Sequence, residues 1–75
     1  MTASHLNYRI LDALSRSKDG LSGSVLTARI GDGAGPSLSR MAKKGWVVRL
    51  GIDAMARGSV LWGITEDGLA AKGKM

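Results

Sequence analysis

The stretch LSRMAKKGWV, residues 38–47, decides how this chain folds, because the spacing of its apolar residues changes partway along it. Leu38 and Met41 stand three residues apart, which places them on one side of a helix. The glycine after the two lysines favours the end of that helix, and the apolar residues beyond it have the spacing of a strand. The stretch therefore predicts a helix over residues 36–44 followed directly by a strand over 46–50.

Two further helices are predicted on the N-terminal side of this stretch. Apolar residues recur at helical spacing over residues 4–18, and a shorter helix capped by Ser22 or Ser24 follows. The glycine-rich segment 31–36 then predicts a turn. Pro36 suits the first position of the third helix, where no backbone amide hydrogen is needed.

A β-hairpin and a short helix are predicted on the C-terminal side. Apolar residues alternate along a second strand, residues 60–64, and the loop 51–59 joins it to the first strand. Thr65 is placed to cap a last helix over residues 66–72, whose acidic pair lies in its first turn. The pattern therefore predicts one α+β domain spanning residues 1–75.

The two tryptophans fall within the alternating segments of the hairpin. Trp46 shares its spacing with Val48, and Trp62 shares its spacing with the apolar residues on either side. Exposed tryptophans can stack on bases, but this alternation favours a place in the core for both rings.

A second motif, WGITEDGL at residues 62–69, makes the fold more specific. Together with residues 38–47, it resembles the signatures of bacterial winged helix-turn-helix regulators, including MarR-like and PadR-like proteins. The resemblance implies a three-helix bundle, a two-stranded β-hairpin wing and a short C-terminal helix. It also implies binding to double-stranded DNA, with the third helix in the major groove and the wing on the backbone.

The charge of the chain is concentrated where this resemblance places the DNA. The net charge is +5, and residues 33–60 hold five basic residues against one acid, a net +4. A localised basic region is typical of proteins that bind polyanions. The outward side of the third helix and the wing supply the candidate DNA-binding residues, which are Ser37, Ser39, Arg40, Lys43, Lys44, Arg49 and Arg57.

Two features of these candidates leave alternatives open. Arg49 and Arg57 could instead be charges that protect an edge strand from aggregation. The first turn of the third helix, residues 33–36, offers almost no side-chain donors, although related proteins read bases there. Binding driven by phosphates or by DNA shape therefore suits these residues better than direct base readout.

The composition argues against several other classes of function. The chain has no cysteine and a single histidine, so it predicts no disulfide, no zinc site, no other metal site, no cofactor and no catalytic residues. The segment 31–36 has no following Lys-Ser/Thr and follows no strand, which argues against a nucleotide-binding loop. No apolar run approaches the roughly 18 residues that span a bilayer, and no signal peptide is recognisable. We expect a cytoplasmic protein.

Two functions remain in competition. The first is a small bacterial or phage transcriptional regulator, such as a repressor, that binds double-stranded DNA. The second is a winged-helix module that binds a host protein for a phage or mobile element. A homodimer is compatible with either one, with Tyr8 and Leu11 of the first helix as its apolar contact.

Overall fold

The computed structural model describes residues 3–17, 19–53 and 59–75. Within them the chain forms four helices and one three-stranded antiparallel sheet, so the predicted α+β class is confirmed. In chain order the elements are α1 (Ala3–Ser15), β1 (Leu21–Ser22), α2 (Gly23–Ile30), α3 (Ala34–Lys43), β2 (Val47–Asp53), β3 (Ser59–Ile64) and α4 (Glu66–Lys74). None of the helices in these ranges combines the length and the apolar content needed to cross a membrane.

The core lies where the apolar sides of the helices meet β3. It contains the aliphatic residues that recur at helical spacing on α1 and α3, because that spacing places them on one side of each helix. Trp62 closes the core from the sheet side and is 6% exposed, as predicted. The buried apolar residues are Ile10, Leu11, Leu14, Leu26, Ala34, Leu38, Met41, Val47 and Trp62.

The starts of the second and third helices differ in their capping. The hydroxyl of Ser22, rather than that of Ser24, caps α2 by accepting the amide of Val25 at 3.1 Å. Helix α3 begins at Ala34 and not at Pro36, so the predicted start was two residues late. Pro36 is nevertheless tolerated, because the first four amides of a helix need no partner inside it.

The end of α3 aims the chain into the sheet. Gly45 has φ +81°, and its amide donates to the Ala42 carbonyl at 3.1 Å. The next amide, that of Trp46, donates to the Met41 carbonyl at 3.0 Å. This pair of hydrogen bonds is a Schellman motif, which ends a helix at a residue with positive φ and favours glycine there. The predicted helix stop is confirmed.

The sheet has one strand more than the predicted hairpin, in the order β1-β3-β2. The residues of β1, Leu21 and Ser22, pair with Trp62 and Leu61 of β3. Their close approach requires Gly20, which has φ +84°, because a Cβ there would overlap the Trp62 carbonyl oxygen. Two residues are too few for a periodic pattern, so this strand was not predicted from the sequence.

The inward side of β2 is opposite to the one predicted. The strand begins at Val47, and Val47 is buried while Val48 is 45% exposed. Trp46 precedes the strand and is half-buried against the core, so its spacing with Val48 does not mark a strand face. The prediction that Val48 belongs to the core was therefore wrong.

Candidate nucleic-acid interface

An open cleft of about 550 Å³ lies between α3 and β2. It brings together three of the predicted binding residues from two separate elements. Ser39 and Lys43 stand four residues apart and so share one side of α3, while Arg49 reaches the cleft from β2. The lining residues are Ser39, Ala42, Lys43, Val48 and Arg49.

The described side chains that α3 exposes include Ser39, Arg40 and Lys43, but not Ser37. Ser37 is 1% exposed, so the prediction that it faces outward was wrong. The reason is helical geometry: Ser37 precedes Met41 by four residues, which places it on the buried side. Arg40 is exposed on the same helix but does not line the cleft.

Lys44 lies at the end of α3 and faces a different part of the surface. It lines a second open cleft of about 400 Å³, together with Trp46, Asp67 and Lys74. Lys44 is thus separated from the cleft that holds Lys43. The structure brings together part of the predicted set rather than all of it.

The cations of α3 and β2 form no ion pair with a described carboxylate. Residues 33–52 contain no aspartate or glutamate. Among the described lysines and arginines, the ion pairs within 4.0 Å are those of Arg16 and Lys72 with Asp12, at 3.3 Å and 3.5 Å. The positive charge of Arg40, Lys43, Lys44 and Arg49 is therefore uncompensated by described carboxylates at that distance.

Two of these cations lie over tryptophan rings instead. The Lys44 Nζ is 4.7 Å from the centre of the Trp46 ring, and the Arg49 Cζ is 5.5 Å from that of Trp62. Arg49 and Trp62 are directly opposite in the β2–β3 register, so they share one face of the sheet. The negative face of an aromatic ring attracts a cation without neutralising it. Each ring thus restrains a long side chain while leaving its charge available.

Sequence reasoning missed this role of the tryptophans. The Lys44–Trp46 contact could have been predicted from the sequence, since the two residues flank the glycine that ends α3. The Arg49–Trp62 contact had none, because it depends on a strand register that the loop between β2 and β3 leaves unspecified in the sequence.

The first turn of α3 contributes little side-chain chemistry. Gly33 occupies the N-cap position without a capping side chain, and Gly35 and Pro36 are exposed. The side-chain donors of the helix therefore begin at Ser39, in its second turn. The wing residue predicted to accompany them, Arg57, lies outside the described residues.

The predicted dimer contact is half contradicted by the structure. Tyr8 is 40% exposed, but Leu11 is fully buried and cannot contact a second chain from the surface. The Tyr8 ring also lies 5.6 Å from the Lys72 Nζ, so it already holds α4 against α1.

Comparison of the chain with protein-family models, with curated proteins and with solved structures found no match. What it binds is therefore inferred from its own residues.

Proposed function

We propose that the protein is a winged helix-turn-helix domain that binds double-stranded DNA, as a small transcriptional regulator of bacterial or phage origin acting in the cytoplasm. One observation carries the proposal: Ser39, Lys43 and Arg49 line a single cleft that has no described carboxylate within ion-pair distance. The two cations and the serine hydroxyl of this cleft can donate hydrogen bonds to the phosphate oxygens of a nucleic-acid backbone.

The proposed docking places α3 in the major groove and β2–β3 along the backbone. Arg40 projects from α3 toward the groove, while Lys43 and Arg49 neutralise phosphates at its rim. Because the first turn of α3 lacks side-chain donors, most of the affinity comes from the backbone and little from base edges. The domain therefore binds many sequences with similar affinity.

A duplex titration at several salt concentrations tests the proposal. If Arg40, Lys43 and Arg49 each neutralise a phosphate, the logarithm of the binding constant falls with the logarithm of salt with a slope of about −2 to −3. An unrelated duplex should compete almost as well as the labelled one. A chain that binds no duplex at low salt, yet captures a protein at high salt, would favour the interaction-module alternative.

The double variant Lys43→Gln with Arg49→Gln makes the test specific to the cleft. Losing two phosphate contacts should reduce the slope by about 2 and weaken binding by roughly tenfold or more at low salt. Arg16→Gln is the matched control, because it removes one positive charge from an exposed side chain just after the end of α1. If the cleft variant and this control lost equal duplex affinity for each charge removed, net charge rather than the cleft would be responsible for DNA binding.

A further inference from the structure

The β2 strand presents an uncovered edge to solvent. Within the described residues it pairs with β3 only, and every residue from Val48 to Ile52 is exposed. Three of these residues are large aliphatics, with exposures of 45% for Val48, 52% for Leu50 and 67% for Ile52. An exposed edge strand also offers backbone amides and carbonyls to any chain that aligns beside it.

The chemistry beside this edge is cationic. Arg49 lies within the aliphatic run, and Lys43 faces it across the cleft between α3 and β2. Residues 33–52 contain no acid, and the one acid of β2 is its last residue, Asp53. The edge therefore combines hydrogen-bonding backbone, aliphatic side chains and positive charge in one place.

We propose that the β2 edge binds an extended acidic segment of a partner protein as an added antiparallel or parallel strand. Its backbone pairs with β2, its aliphatic side chains cover Val48 and Leu50, which share the Gly63 face of the sheet, and its carboxylates meet Lys43 and Arg49. The occupant is chosen by charge complementarity. A nucleic acid could satisfy the cations but not the exposed aliphatic side chains.

A second copy of this chain fits the edge less well. Each copy carries a net charge of +5, so two copies repel each other. The β2 strand is also irregular, with a register shift between Arg49 and Gly51, and pairing it with itself would bring two irregular strands together.

The acidic strand would share Lys43 and Arg49 with the proposed duplex contact, so the two ligands should exclude each other. The inference does not require the duplex contact to be real, since it stands on the exposed edge and on its charge. An acidic protein bound at the β2 edge would therefore displace the domain from DNA.

The test uses a fluorescent peptide of alternating glutamate and valine, long enough to span the seven residues of β2. The control peptide has the same sequence with every backbone amide N-methylated, which keeps the charge and removes strand pairing. At moderate salt we expect the unmodified peptide to bind about tenfold tighter than the methylated one, because several main-chain hydrogen bonds are lost together. Amide hydrogen exchange should slow at residues 48–52 when it binds.

Two protein variants locate the contact. Leu50→Thr puts a strand-forming residue in place of a half-exposed leucine, and by removing apolar surface it should weaken peptide binding roughly threefold to tenfold. Leu69→Gln removes a leucine of similar exposure from α4 and should leave peptide binding unchanged. Equal binding of the two peptides would overturn the proposal, because charge alone would then explain the contact.

Two further readouts keep this inference separate from the proposed function. Peptide and duplex should compete in the same titration. Failure of the peptide with normal duplex binding overturns the acidic-strand inference alone, whereas peptide binding without duplex binding overturns the DNA proposal alone. Concentration-dependent dimers in sedimentation, with slowed exchange at residues 48–52 in the absence of peptide, would assign the edge to a second copy and overturn the inference.

Discussion

Two basic side chains on the α1–α4 side of the molecule, Arg16 and Lys72, contact an acid, whereas those on the α3–β2 side lie over aromatic rings or face solvent. Asp12 holds both Arg16 and Lys72, and the Tyr8 ring lies against the same lysine. On the other side, Lys44 and Arg49 lie over tryptophans, which restrain them and leave their charge intact. Similar basic residues thus have different roles on the two sides. Lys72 links α4 to α1, whereas Lys44 and Arg49 present positive charge at the surface.

The surface that this protein can offer to a polyanion therefore depends more on where its acidic residues lie than on how many basic residues it has. All six acidic residues lie outside residues 33–52. A stretch with four cations and no acid thus passes through α3 and β2, where the fold exposes it. Net charge alone would have made every exposed lysine a candidate.

The largest effect is expected from adding an acid to the α3–β2 side. Ala42→Glu places a carboxylate in the lining of the cleft, beside Lys43 and Arg49. It should weaken duplex binding roughly 10- to 100-fold, since a new charge a few ångströms from the phosphates and their cations costs about 1–3 kcal/mol. Fluorescence anisotropy with a labelled duplex at low salt measures the change.

Two controls separate charge from shape in this experiment. Ala42→Gln adds a side chain of nearly the same size without the charge, and it should retain most of the affinity. Leu69→Glu adds the same charge to an exposed position on α4. If all three variants lost affinity alike, the contrast between the two sides would have no bearing on binding.

How far the sequence could predict this contrast depends on which interactions are local. The buried spacing of Leu38 and Met41 and the glycine stop after Lys44 are local, and both were predicted. The outward placement of Ser37 was wrong although its relation to Met41 was legible in the sequence. Helical spacing of four residues would have assigned it to the buried side.

Contacts between distant strands were beyond reach of the sequence alone. The pairing of Arg49 with Trp62 depends on the register of β2 and β3, and that of Leu21 with Trp62 joins residues far apart in the chain. Register follows from turn geometry and from which side is buried, and the loop between these strands has no recognisable turn motif. The sequence could therefore predict candidate binding residues, but not that Ser39, Lys43 and Arg49 line one cleft.

A smaller effect is expected from releasing the paired cations on the α1–α4 side. Asp12→Asn frees Arg16 and Lys72, and it should lower the free energy of unfolding by about 1 kcal/mol, since both ion pairs are partly exposed. Thermal unfolding would then shift down by roughly 4–8 °C. Duplex affinity should rise less than about twofold, because the freed cations lie away from the cleft. A larger rise would show that this side binds DNA once its acid is removed.

The smallest effect separates two serines of α3 that differ only in the direction they face. Ser39 lines the cleft and Ser37 is buried beside Met41, although the two stand only two residues apart. Ser39→Ala should weaken duplex binding about twofold, the loss of one hydrogen bond worth about 0.5 kcal/mol to a phosphate, while Ser37→Ala should leave affinity unchanged. The same chemical change thus reports on orientation alone, and anisotropy titrations of both variants on one duplex resolve it. Loss of affinity in Ser37→Ala with no loss in Ser39→Ala would mean that α3 meets DNA through the opposite side, and that the cleft beside β2 is not where the backbone lies.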